Sequence, residues 1–127
     1  MPFETIYSDG HGQRYAAVTL PWPQVRAILG RDHDGSGEDD QALIQWLCNH
    51  GAPAWVADAD EGWIDEHGWG LIGPRLVGWA AIEWAKAHGG RLAKYADPVD
   101  DARSVTLEEA VVIAREDPSL IYLEPTP

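Results

Sequence analysis

Hydrophobic residues occur in short segments that are separated by glycine, proline and polar residues. Near the N-terminus, FETIYS and QRYAAVTL are rich in β-forming residues and flank DGHG, so they predict two strands joined by a tight turn. In the middle of the chain, β-forming residues and glycine-bearing turns again indicate sheet. The predicted strands lie near residues 3–8, 13–20, 54–58, 62–66, 69–73 and 119–124.

Hydrophobic residues recur at helical spacing in four further segments. In residues 39–50 they form one apolar stripe that includes Leu43 and Leu47, and acids occupy the first turn, where the helix dipole favours them. In residues 75–88 they occupy most faces, which predicts a buried central helix with Pro74 in its first turn. The predicted helices lie near residues 22–29, 39–50, 75–88 and 106–116.

The order of these elements predicts the fold class. Strands and helices are mixed without a regular βαβ alternation, so we expect an α+β fold in which mainly antiparallel sheet packs with three to four helices. No repeat or linker divides the chain, and we expect a single globular domain over residues 1–127. The chain has neither a basic and apolar leader nor an apolar run of about 18 residues. We therefore expect a cytoplasmic protein without membrane association.

The net charge of −12 is unevenly distributed. Residues 32–74 contain ten acids and neither lysine nor arginine. Binding to nucleic acid phosphates needs a basic surface, so direct binding to nucleic acid is not expected. A basic protein partner or a cation is favoured, and simple solubility is the alternative explanation.

The segment RDHDGSGEDDQAL, residues 31–43, begins like a calcium-binding loop. With Asp32 at the first ligand position of an EF-hand, Asp34 and Asp40 also fall at ligand positions, and glycine occupies the sixth. Leu43 occupies the last position, where that loop needs a bidentate glutamate. The sequence therefore predicts no calcium site here and places Leu43 in the core. Asp32, Asp34 and Asp40 are only weak metal candidates, and no cofactor is expected.

No complete catalytic motif is present. Cys48 and His50 are two positions apart on a predicted helix, which turns them away from each other. Cys48 adjoins the apolar stripe, so we expect a buried, inert thiol. An enzyme is therefore disfavoured. The alternative that stays open is a small enzyme or a divalent-cation-binding protein that uses the carboxylates of residues 32–40 and 58–67.

Seven tryptophans against one phenylalanine make tryptophan the main aromatic residue. Trp79 and Trp84 lie in the predicted central helix and are assigned to the core, whereas a tryptophan in the acidic middle region can anchor a basic partner. The favoured interpretation is an acidic protein-binding module, an inhibitor or decoy that mimics nucleic-acid charge or an immunity-type protein. Its partner would be a basic protein surface, such as that of a nucleic-acid-binding protein or a toxin. The predicted contact residues are Asp32, Asp34, Glu38, Asp39, Asp40, Asp58, Asp60, Glu61, Trp63, Asp65, Glu66 and Trp69.

Overall fold

The computed structural model describes residues 3–95 and 103–124. The described residues form four α-helices and two antiparallel sheets, which confirms the predicted α+β class. The chain divides into two compact units, which are described separately. Unit 1 comprises Met1–Tyr7 and Tyr15–Pro74, and unit 2 comprises Ser8–Arg14 and Arg75–Pro127. A single domain over the whole chain stays a prediction.

Unit 1 is built on the four-stranded sheet, whose strand order is β1-β2-β4-β3. The sheet consists of β1 (Glu4–Ser8), β2 (Arg14–Pro21), β3 (Trp63–Ile64) and β4 (Gly68–Arg75). β1 and β2 confirm the predicted N-terminal strands. In β2, Val18 and Leu20 are buried in the core of unit 1 and the Thr19 between them is exposed, so this side of the strand end faces the core.

The rest of the unit 1 core comes from two α-helices, α1 (Trp22–Leu29) and α2 (Gly37–Asn49), and from the 3-10 helix Ala54–Asp58, which contributes Val56. The apolar stripe of α2 faces inward, and Leu43 is fully buried, as predicted. Cys48 is exposed, so the prediction of a buried thiol is wrong. The apolar stripe of α2 is narrow: it buries Leu47 but not the adjoining Cys48. The buried core of unit 1 consists of Val18, Leu20, Val25, Leu43, Ile44, Leu47, Val56, Trp69 and Leu71.

Residues Ala54–Asp58 form a 3-10 helix, so the strand predicted at 54–58 is wrong. The segment follows Pro53, whose carbonyl accepts a hydrogen bond from the Val56 N–H at 3.0 Å. The Ala59 N–H closes the next turn on the Val56 carbonyl at 3.2 Å. These local bonds use backbone groups that a strand would direct to a neighbouring strand.

Gly68, the first residue of β4, passes unusually close to β2. A Cβ at Gly68 would lie 2.2 Å from the Leu20 carbonyl oxygen, and this backbone atom has no freedom to move aside. We expect Gly68→Ala to lower the free energy of unfolding by about 2–3 kcal/mol, as overpacked sites do. The measurement is chemical denaturation followed by tryptophan fluorescence. Gly37→Ala is the control, because a Cβ there meets nothing within 4 Å and we expect no loss. Equal stability of the two variants would contradict the close approach.

Unit 2 contains the three-stranded antiparallel sheet, whose strand order is β6-β5-β7. Its elements are α3 (Trp79–His88), β5 (Leu92–Lys94), β6 (Arg103–Val105), α4 (Leu107–Glu116) and β7 (Ile121–Leu123). β7 confirms the last predicted strand, although the 3-10 helix Pro118–Leu120 precedes it. α4 begins with a capping box, in which Thr106 and Glu109 each accept the other's backbone N–H.

The central helix predicted at 75–88 begins four residues later, at Trp79. Pro74 therefore lies in β4 and not in a first helical turn. The chain turns at Gly78, which has a φ of 61° that favours glycine, and a Cβ there would lie 2.9 Å from the Pro118 carbonyl oxygen. Trp84 is buried as predicted, but Trp79 is 42% exposed, so its assignment to the core is wrong.

The longest described helix, α2, has 13 residues. None of the helices within residues 3–95 and 103–124 has both the length and the apolar character that crossing a membrane requires.

Candidate functional site

Two acids in the first turn of α2 are buried in unit 1. Asp39 is 3% exposed and Asp40 is 8% exposed. They follow the N-cap residue Ser36, whose hydroxyl accepts a hydrogen bond from the Asp39 N–H at 3.2 Å. A buried carboxylate is costly unless it is paired or hydrogen-bonded, and both of these are.

Asp39 is paired with Arg31. The two guanidinium Nη atoms each donate to one carboxylate oxygen, and the bond from Nη1 to Oδ2 is 2.9 Å long. The Asp34 N–H also donates to Oδ2, at 3.0 Å. The Arg31 hydrogen bond, followed by the Asp34 backbone bond, lowers the pKa of Asp39 to about 2. This bidentate ion pair fixes the loop after α1 against the start of α2.

Asp40 joins three segments of unit 1. Its Oδ1 accepts hydrogen bonds from Trp69 Nε1 at 2.7 Å and from His33 Nε2 at 2.8 Å. Its Oδ2 accepts one from the Gly62 N–H at 3.1 Å. The Gly35 N–H donates to His33 Nδ1 at 2.9 Å, so we assign the imidazole proton to Nε2. Asp40 thus holds together the loop after α1, the residues before β3, and β4.

Asp65 organises the turn between β3 and β4. Its Oδ1 accepts hydrogen bonds from the N–H groups of His67 at 2.7 Å and of Gly68 at 2.9 Å. The bond from His67, followed by that from Gly68, lowers the pKa of Asp65. The carboxylate is exposed, yet its position is fixed by the turn.

Further contacts place the acidic segments next to one another. The Gln41 side-chain amide donates to the Asp60 carbonyl at 2.8 Å. The Trp22 indole donates to the Asp65 carbonyl at 3.1 Å, and its ring centroid lies 6.4 Å from that of His33. The loop after α1, the residues before β3 and the β3–β4 turn therefore lie around the start of α2.

Eight of the ten acids in residues 32–66 are exposed on these segments and the adjoining 3-10 helix. We call these eight side chains the acidic surface: Asp32, Asp34, Glu38, Asp58, Asp60, Glu61, Asp65 and Glu66. Unit 1 has eleven acids and two bases, a net charge of −9, whereas unit 2 has ten acids and seven bases, a net charge of −3. The excess negative charge is therefore concentrated in one unit.

Three predicted contact residues do not belong to this surface. Asp39, Asp40 and Trp69 are buried, and each has its hydrogen-bonding partner inside unit 1. Their side chains are unavailable to a partner in this structure, so the prediction is corrected for these three. Trp63 is partly buried and still reaches the surface.

The structure brings together one group of possible metal ligands, which the sequence did not predict as a set, and N–H donors occupy it. Ligand atoms of His33, Asp34 and Asp39 lie within 4.8 Å of one another. However, both Asp39 oxygens accept from Arg31, both His33 nitrogens are hydrogen-bonded, and Asp34 Oδ1 accepts from the Ser36 N–H at 2.8 Å. The group is a hydrogen-bonded loop, and no observation favours a cation there.

The three calcium candidates also fail to converge. The Asp32 side chain is 83% exposed and lies 3.8 Å from Arg26. Asp34 Oδ1 accepts a hydrogen bond from the Ser36 N–H within its own turn, and Asp40 Oδ1 accepts one from the Trp69 indole. A calcium site needs these oxygens on one centre.

The His33–Asp40 pair resembles a general-base dyad, but it has no free nitrogen. The His33 side chain is only 2% exposed. Nδ1 accepts from Gly35 while Nε2 donates to Asp40, so no lone pair is directed at a substrate. The His33–Asp40 hydrogen bond therefore has a structural role, and it gives no support to the alternative that the protein is an enzyme.

Sequence reasoning missed the residues that hold the acidic segments in place: Trp22, Arg31, His33 and Gly62. Arg31 stands directly before the acidic segment, and this position was the one available signal. The contacts from Asp40 to Gly62 and to Trp69 span 22 and 29 residues, and no local pattern encodes them.

Acid is expected to destabilise the protein between pH 4 and pH 2. The pKa of Asp39 falls from 3.8 to about 2 on folding, so its contribution to stability is complete above about pH 4 and is lost as the pH falls toward 2. The measurement is the urea midpoint at intervals from pH 5 to pH 2. Asp39→Asn should be less stable at neutral pH and should show a shallower decline in that window. Identical pH profiles of the two proteins would contradict the assignment.

Comparisons with protein-family models, curated proteins and solved structures found no significant match to this chain.

Proposed function

We propose that unit 1 is an acidic protein-binding module whose acidic surface engages a basic protein surface. One observation carries this proposal: eight exposed carboxylates lie on segments that a buried hydrogen-bond network holds together, and no lysine or arginine lies between residues 32 and 74. The module acts as an inhibitor or decoy, because it occupies cationic groups that would otherwise bind a different anion.

The arrangement has a cost that solubility alone does not require. Two like charges 10 Å apart in water repel by about 0.4 kcal/mol, and each added acid repels all the others. Mixed positive and negative charges keep a protein soluble without this repulsion. A partner that gains from the negative field gives the segregation a use.

Backbone hydrogen bonds fix the positions of two of these carboxylates, and fixed positions favour a specific partner over general solvation. Asp34 Oδ1 is fixed by the Ser36 N–H, and Asp65 Oδ1 is fixed by two N–H groups of its turn. A fixed carboxylate loses less conformational entropy on binding than a mobile one. Spaced, fixed anions suit a groove in which lysine and arginine bind nucleic acid phosphates, so the partner class is a nucleic-acid-binding protein or a basic toxin.

The test is differential capture with three baits from a lysate of the organism that encodes the chain. The baits are the unaltered protein, the unit 1 variant Glu38→Lys with Glu61→Lys, and the unit 2 variant Glu108→Lys with Glu116→Lys. All four glutamates are exposed, and each variant raises the net charge of −12 by four. We expect a basic protein to be captured by the unaltered protein and by the unit 2 variant, but not by the unit 1 variant.

Because the two variants change the net charge equally, the comparison separates binding at the acidic surface from an effect of total charge. Equal loss in both variants would mean that only total charge matters, and equal capture by all three baits would mean that the acidic surface has no role. Either outcome contradicts the proposal.

A further inference from the structure

A cleft of about 220 Å³ adjoins the acidic surface in unit 1. It lies between the end of β2 and the β3–β4 hairpin, and its lining includes Thr19, Trp63, Asp65 and His67. Pockets for small-molecule ligands usually measure about 300–1,000 Å³, so this cleft suits a single side chain better than a free metabolite.

The aromatic wall of the cleft is held in place by its neighbours. Trp63 is paired with Gly70 across β3 and β4, and a Cβ at Gly70 would lie 2.6 Å from the Trp63 ring. The Tyr7 ring centroid also lies 6.0 Å from that of Trp63, with the two rings tilted by 52°. The indole is partly exposed and nevertheless fixed, so it offers a ready surface for stacking.

The charged wall is the Asp65 carboxylate. Two backbone N–H groups bind its Oδ1, and these hydrogen bonds lower the pKa of the carboxyl group. Glu66 lies next to it in the chain with its side chain 84% exposed, so a cation in the cleft meets a negative field. A fixed aromatic ring beside a fixed carboxylate is the chemistry that recognises a cation with a flat face.

We propose that this cleft accepts one arginine side chain of the basic partner, with its guanidinium group against the Trp63 ring and the Asp65 carboxylate. This inference rests on the proposed function and names the anchor of the interface. Arginine fits better than lysine because guanidinium is planar, stacks on indole and is less strongly hydrated than ammonium. A buried arginine–tryptophan contact is also typical of residues that dominate binding energy.

The test is an NMR titration of the full chain with Nα-acetyl-arginine amide. The control ligand is the corresponding citrulline amide, which keeps the shape of the side chain and removes its charge. We expect the arginine compound to shift the Trp63 indole resonance with a Kd in the millimolar range, and the citrulline compound to have at least tenfold weaker affinity. Equal responses to the two compounds would overturn the proposal. Nα-acetyl-lysine amide is a second control ligand, and a response equal to that of the arginine compound would overturn the assignment to arginine.

Two variants locate the binding. Asp65→Asn keeps the oxygen that accepts the two N–H groups of the turn and removes the charge, and Trp63→Leu removes the ring. We expect each to weaken arginine binding at least fivefold, whereas Trp79→Leu, at an exposed tryptophan of unit 2, should have no effect. Unchanged binding in Asp65→Asn and in Trp63→Leu would place the arginine elsewhere and overturn the inference.

The two proposals fail separately. Loss of partner capture in the unit 1 variant combined with no arginine binding in the cleft would leave the proposed function standing and remove only the anchor. Arginine binding in the cleft without any partner that depends on the acidic surface would remove the proposed function.

Discussion

Replacing Asp40 with alanine is expected to lower the free energy of unfolding by about 3–5 kcal/mol, the range seen when one partner of a buried charged network is removed. The change leaves the Trp69 indole N–H buried without an acceptor, and each such orphaned group costs about 1–3 kcal/mol. It also removes the acceptor for the Gly62 N–H and for His33 Nε2. Urea denaturation followed by tryptophan fluorescence measures the loss.

The matched control is Glu38→Ala, which removes the same charge from the same helical turn but at an exposed position. We expect this variant to stay within about 0.5 kcal/mol of the unaltered protein. Asp40→Asn should lie between the two, because the amide keeps one acceptor oxygen for the Trp69 indole. A loss below about 1 kcal/mol for Asp40→Ala would show that Asp40 does not organise the acidic segments.

The second large effect is expected in the kinetics of binding. The association rate constant of the unaltered protein with its captured partner should fall at least tenfold between about 0.01 M and 1 M salt. The physical reason is screening, since the Debye length shrinks from roughly 30 Å to about 3 Å over that range and electrostatic steering is lost. Stopped-flow tryptophan fluorescence measures the rate at each salt concentration.

The dissociation rate serves as the internal control for this prediction, because steering acts mainly on encounter. A rate of association that is independent of salt, with all of the salt effect in dissociation, would contradict the role of the acidic surface in attracting its partner.

The sequence predicts elements well where the signal is local and strong. The start of α2 has a serine N-cap and acids in its first turn, and α4 has a capping box, so both helices begin within two residues of their predicted positions. The strands β5 and β6 have three residues each and were not predicted, because such short segments gain their stability from pairing with distant residues.

Errors arise where tertiary contacts override local preference. The 3-10 helix Ala54–Asp58 contains Trp55 and Val56, which have high β propensity, but a local turn after Pro53 satisfies backbone groups of this segment. The sequence places Trp79 in the core because residues 75–88 are apolar on most faces, whereas the helix begins at this residue and leaves the ring 42% exposed.

The candidate site shows the same limit. The acidic segments and their lack of bases are evident in the composition, and eight of the predicted carboxylates are exposed. Spacing alone does not separate these from Asp39 and Asp40, because first-turn acids are expected at a helix start whether they face solvent or protein. Whether these two acids are buried depends on their partners. Arg31 binds Asp39 and Trp69 binds Asp40, and both contacts form only through folding.

The most direct test of the proposed function is the dissociation constant of the captured partner for the two double variants, measured side by side at about 0.1 M salt. We expect Glu38→Lys with Glu61→Lys to weaken binding at least tenfold. Glu108→Lys with Glu116→Lys, which makes the same change in net charge, should alter binding less than twofold. Equal dissociation constants for the two variants would show that the acidic surface of unit 1 is a solvated face and not a binding site.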